Sequence, residues 1–157
     1  MYSPRWLFLV PGAVLVLLGV IGTAVSLPVT TIKGVTFAAH TLLFSCLAIL
    51  VGAQTISFAV FAKVFAITEG LMPEDPRLSR LFEIFDLEKG LIAGAVALTA
   101  GIVLLGAAVG QWLDVDFGSL DYGYTMRWVI PGATLTALGV QVILSSFFVS
   151  ILGTLRK

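Results

Sequence analysis

Charge is what this chain of 157 residues has least of: nine Lys and Arg balance nine Asp and Glu, 11% of positions in all. Soluble domains carry about 25%. There is also a single cysteine and a single histidine. Each scarcity excludes something. Zero net charge with scattered basic residues leaves no stripe to neutralise nucleic-acid phosphates, so no nucleic-acid partner is expected. Cys46 has no partner in the chain, so there is no disulfide framework. Its apolar surroundings disfavour a thiolate, and it reads as a packing residue. His40 alone builds neither a histidine-paired metal site nor a Ser-His-Asp triad. It reads as a polar anchor at the start of an apolar segment.

What is present is hydrocarbon. Hydrophobic residues make up 59% of the chain, and the mean hydropathy is +1.07. Residues 6–26, 41–62, 91–113 and 128–152 contain no Asp, Glu, Lys or Arg. Each run is long enough to cross a bilayer core of about 30 Å, which takes about 20 apolar residues. The expected fold is an all-α integral membrane protein, one domain over residues 1–157, with four transmembrane helices. The first run resembles a signal peptide, with Arg5 before it and Ala24-Val25-Ser26 as a small-x-small site. Its length, its early Pro11-Gly12 and the three runs after it favour an uncleaved span.

Positive charge sets the expected orientation. Arg5, Lys63, Arg77, Arg80, Lys89, Arg156 and Lys157 fall on the side shared by both termini and the middle loop, against only Lys33 and Arg127 opposite. That side is therefore expected to be cytoplasmic in a multi-pass protein of the cell membrane. Trp6, Trp112 and Trp128 stand at span ends, where amphipathic rings prefer the headgroup level. Residues 27–40 read as an extended outer loop, and 114–127 as a short polar one. In the middle loop, Pro73-Glu74-Asp75-Pro76 is a turn and helix-start signal. Leu78, Leu81, Phe82 and Phe85 then recur at i, i+3, i+4 and i+7, predicting a short amphipathic helix over about 76–88, lying in the cytoplasmic interface. Lys63, Arg77, Arg80 and Lys89 are the candidates to contact a lipid phosphate, Arg in bidentate fashion. The plainer alternative is that they only follow the charge bias, since six acidic residues share residues 63–90.

Within the spans no charge marks a proton or ion path, which argues against active transport. Gln54 and Gln141, with Thr55, Ser57, Thr134, Ser145 and Ser146 nearby, are the polar groups at depth. They read either as interhelical hydrogen bonds or as contacts to a solute or headgroup. Small residues at four-residue spacing in the third span (Gly90/Gly94, Ala97/Gly101 and Gly106/Gly110) suggest a packing seam, within the chain or between copies in a homo-oligomer. Asp114-Val115-Asp116 imitates a metal-binding DxD, but it follows a span on the outer side, with no nucleotide-binding region before it. It reads as a helix-ending loop, and no metal site is expected.

Residues 11–20 (PGAVLVLLGV) match residues 131–140 (PGATLTALGV) at seven of ten positions. The two runs cross in opposite directions, so a repeat based on them is inverted. Gly52-Ala53-Gln54 and Gly139-Val140-Gln141 also match, in spans running the same way. The two echoes imply different symmetries.

Four stretches carry a wider resemblance: R-W-L-F-L-V-P-G at the start, H-T-L-L-F opening the second span, G-L-M-P-E-D-P-R-L-S-R-L-F-E-I-F-D-L-E-K-G-L in the middle loop, and V-I-P-G-A-T-L-T-A-L-G-V-Q-V-I-L-S-S-F-F in the last span. Together they resemble the C-terminal membrane region of bacterial family two glycosyltransferases of the dolichyl-phosphate (polyprenyl-phosphate) type. The resemblance runs from about Ser3 to Leu155 and is most specific over residues 69–91. It implies that a GT-A catalytic domain, supplied in cis or trans, binds the nucleotide sugar and divalent metal, while the membrane helices anchor it and present the acceptor lipid. Since Met1 lies directly before the first span, the expectation is a membrane anchor and acceptor-presenting domain, inactive alone, with no cofactor of its own. The alternative is a stand-alone four-span protein, similar to the GtrA-like proteins, that translocates or stabilises polyprenyl-linked sugars.

Overall fold

The structure is a computed structural model describing residues 5–28, 31–32, 35–36, 39–70, 87–119 and 121–154. Its four α-helices are α1 (Val10–Ser26), α2 (Ala39–Thr68), α3 (Leu87–Asp114) and α4 (Tyr122–Thr154). All four are long and apolar enough to cross a membrane once α1 is taken from Leu7. The fold class is therefore all-α, as the uncharged runs imply. The helices overrun those runs: α2 reaches Thr68 and α4 begins at Tyr122. At 1.5 Å per residue the 30 residues of α2 extend about 45 Å, well beyond a hydrocarbon core. Lys63, Lys89 and Arg127 are thus helical, carried where the helix leaves the apolar layer. The interfacial helix expected over 76–88 falls mainly on residues 71–86, outside the described residues.

The helix ends follow local chemistry. Arg5–Leu9 forms a π-helical turn that runs into α1 one residue before Pro11, whose ring removes one backbone donor. Pro131 sits inside α4 and leaves the Arg127 carbonyl without its usual i+4 donor. Gly70, at φ +68, closes α2 in the left-handed conformation that glycine adopts without steric cost. Asp121 caps α4, its Oδ1 accepting the Tyr124 N–H at 2.8 Å. The connection expected to be merely extended contains a two-residue antiparallel ribbon, Thr31–Ile32 with Val35–Thr36. β-branched residues suit paired strands, and pairing satisfies backbone groups that an isolated extended loop leaves to solvent.

The substantial helix contacts are α1 with α2, α2 with α4, and α4 with α3. The helices accordingly form a row, α1–α2–α4–α3. Gly12 meets Gly52 while Gly19 meets Ser45 and Ile49, so α1 and α2 are antiparallel. Gly101 meets Gly132 and Gly94 meets Gly139, so α3 and α4 are antiparallel too. Between these two hairpins, Ala39, Leu42 and Cys46 cluster with Ile130, and Val64 with Leu152. The central pair, α2 and α4, therefore runs parallel.

Candidate functional site

The seam between α2 and α4 is where the two hairpins meet. One end is held by Leu42, Cys46 and Ile130, with Met126 against them. The other is held by Val64 and Leu152, flanked by Val60 and Ile67, and by an edge-to-face pair of Phe61 and Phe148 with centroids 4.7 Å apart. Alongside the first of these contacts, and sharing Cys46, Met126 and Ile130 with it, runs an apolar groove of about 480 Å³, lined further by Leu43, Leu47 and Leu50 on α2 and by Val129, Ala133 and Ala137 on α4. The small Ala133 and Ala137 leave the space that the leucines opposite do not fill. Bundle pockets of this kind, between helices and mostly apolar, are where ligands are commonly held.

The two glutamines come next along these helices. Gln54 is one turn beyond Leu50, and Gln141 one turn beyond Ala137. The register fixed by Cys46 with Ile130 and Phe61 with Phe148 puts them at about the same level of the parallel pair. Gln54 is exposed, whereas Gln141 is half-buried and its Nε2 is buried without a hydrogen-bond partner among the described residues. An unmet amide donor in hydrocarbon costs free energy, so this end of the groove offers a polar partner something to bond. Three of the five expected hydroxyl partners are committed elsewhere. Thr55, Thr134 and Ser146 donate to the carbonyls of Val51, Ile130 and Val142, each four residues back on its own helix, at 2.7–2.8 Å. Such bonds satisfy the hydroxyl within its helix and leave no donor for a neighbour.

The remaining candidates are spread out. Gly90, Gly94 and Gly101 lie in the α3–α4 contact, where a Cβ at Gly94 meets the Gly139 carbonyl at 2.9 Å and one at Gly101 meets the Gly132 carbonyl at 2.7 Å. Gly106 and Gly110 are outside that contact, with nothing within 4 Å of an added Cβ. Lys63 is half-buried on the last third of α2, and Lys89 is exposed on the first turn of α3. Arg77 and Arg80 lie outside the described residues. His40 is exposed, and Cys46 is buried with its Sγ 3.8 Å from Thr23 Oγ1. Asp114 ends α3, and Asp116 and Phe117 follow it at φ 49 and 60, with Phe117 edge-on to Trp112 at 4.9 Å. Among the described residues no group of three or more His, Cys, Asp or Glu is placed to hold a metal ion.

Residues 60–153 match the family model of the glycosyltransferase family 2 C-terminal transmembrane region. The chain belongs to this family. It is also 26% identical over 151 residues to the low-salt glycan biosynthesis hexosyltransferase Agl6 of Haloferax volcanii, covering 96% of this chain and 36% of that protein. The chain thus spans about a third of the length of the curated relative it matches. No solved structure matches it. The matched region takes in the last nine residues of α2, all of α3 and all but the last residue of α4, and so both walls of the seam from Val60 onward and the α4 wall of the groove. Sequence reasoning found the two glutamines and the glycines but not the groove. The available signal was Leu43, Leu47, Leu50 and Gln54 at helical spacing beside Met126, Ile130, Ala133, Ala137 and Gln141. No sequence rule says that these two stripes face each other.

Proposed function

We propose that this chain seats a polyprenyl or dolichyl phosphate and presents its phosphate to a GT-A catalytic domain, which transfers a sugar to it from a nucleotide sugar. The observation that carries the reading is the groove between α2 and α4, apolar along its length and open to the lipid, with Gln54 and Gln141 level with each other at one end. An isoprenoid chain buried there gains van der Waals contact on two sides. With both termini and the middle loop in the cytoplasm, as the charge bias favours, the glutamine end lies toward the compartment that holds activated sugars. Lys63, Lys89, Arg77 and Arg80 then supply cations near the headgroup plane for the phosphate. Nucleotide sugar and divalent metal belong to the catalytic domain. Holding acceptor and enzyme in one plane removes much of the entropy of their encounter.

The test is binding of a polyprenyl phosphate to the chain joined to its catalytic domain, in lipid nanodiscs. Arg77→Ala/Arg80→Ala is expected to weaken it several-fold, with less effect on the unphosphorylated polyprenol. Equal binding by the double variant contradicts the phosphate assignment. The inverted relation of the two hairpins favours a second reading, a translocator of polyprenyl-linked sugars, because transporters are often built from inverted repeats. Movement of a glycosylated polyprenyl phosphate across liposomes by this chain alone is the outcome that favours it.

A further inference from the structure

The two helix hairpins share one set of contacts. An added Cβ at Gly52 meets the Gly12 carbonyl and Val16; at Gly101 it meets the Gly132 carbonyl and Thr136. At Gly19 it meets Ser45 and Ile49; at Gly139, Gly94 and Leu98. Every pair is related by the same shifts, 120 residues from α1 to α4 and 49 from α2 to α3. The Pro-Gly echo of the sequence is therefore a structural one, with α1 equivalent to α4 and α2 to α3. Because α1 and α4 run in opposite directions, the second hairpin is an inverted copy of the first.

The hairpins do not meet about a two-fold axis. A two-fold contact of α2 with α4 requires its image, α3 with α1, and the row α1–α2–α4–α3 keeps those two apart at its ends. The contact is head-to-tail, and a head-to-tail contact leaves both halves of itself unused at the ends. The α2 residues at the seam, Cys46, Leu50 and Phe61, correspond to Ala95, Thr99 and Gly110 of α3. The α4 residues Ile130, Thr134 and Ala137 correspond to Val10, Val14 and Leu17 of α1. Those α1 residues are 40%, 49% and 61% exposed, and Ala95 and Thr99 are exposed as well.

We propose that these two faces join copies of this chain, α1 of one packing along α3 of the next as α4 packs along α2 within it. The row simply continues. Helices α2 and α4 are parallel, and α1 and α3 run in one common direction, so successive copies keep the same orientation in the bilayer. The α3 face also carries Gly106 and Gly110, where the backbone is bare and nothing lies within 4 Å. In lipid, where burying apolar surface gives no net drive, close backbone approach at small residues is what favours a helix neighbour over acyl chains.

Cysteine cross-linking of the full chain in membranes tests this, with Cys46→Ala as background. By equivalence with Ile130 and Cys46, Val10→Cys on one copy lies beside Ala95→Cys on another. Co-expressed chains carrying one substitution each are expected to give a disulfide-linked pair on oxidation, and each variant alone none. A cross-link no stronger in the mixture than in the single variants overturns the proposal, as does efficient self-linking of either one. Photobleaching step counts on the labelled wild-type chain at high lipid dilution give a check that needs no buried substitution. Two or more steps are expected, falling toward one in Gly106→Leu; single steps throughout for wild type overturn the proposal.

Discussion

At the scale of single residues, most polar side chains of the spans are consumed locally. Thr99 and Thr136, like Thr55, Thr134 and Ser146, bond the carbonyl four residues before them. Composition lists these hydroxyls as available, but a helix offers each a carbonyl at once, which is why the sequence overstates the polar material at depth. Gln141 escapes because its amide is too long and too far from its own backbone to be satisfied this way. Capping was readable in part. Asp121 precedes a helical stretch, yet the charged Arg127 hid how early α4 begins. Asp121→Ala removes the acceptor for Tyr124 and is expected to lower stability by about 1 kcal/mol, with Asp121→Asn close to wild type. Thermal unfolding in detergent micelles, followed by helical signal, measures both.

At the scale of elements, uncharged runs located all four helices, because hydrocarbon excludes charge. They missed the ends, because a helix continues until its backbone finds another partner, as at Gly70. Glycine spacing identified a close contact on α3 but not its extent: Gly94 and Gly101 touch α4, whereas Gly106 and Gly110 share the period and not the contact. The two sequence echoes are also compatible after all. The Pro-Gly match relates inverted hairpins, and the Gly-x-Gln match lies in two parallel helices, with Gly52 and Gly139 turned to the outer neighbours. Since Gly52 and Gly101 are equivalent, Gly52→Val and Gly101→Val are expected to destabilise by similar amounts, about 1–3 kcal/mol from overpacking. Gly106→Ala, which meets nothing within the chain, is expected to leave the single-chain fold unchanged. Unfolding of the three variants at a protein dilution that keeps copies apart distinguishes these outcomes.

At the scale of the whole molecule, a row of four helices differs from a closed bundle in having no central interior. A groove lies between its halves, along the Cys46–Ile130 end of the contact between α2 and α4. Its walls come from residues nearly ninety positions apart, beyond the reach of any periodicity. The chain belongs to a family of glycosyltransferase membrane regions, and the acceptor proposed above is a lipid. Capture of that lipid tests the account most directly. A photoreactive side chain replaces Leu47 in the groove, and in a second protein replaces Val20, which is exposed on α1; each is irradiated with polyprenyl phosphate in a bilayer of ordinary phospholipid. The account predicts several-fold more cross-linked polyprenyl phosphate at position 47 than at position 20. Equal labelling at the two positions contradicts it.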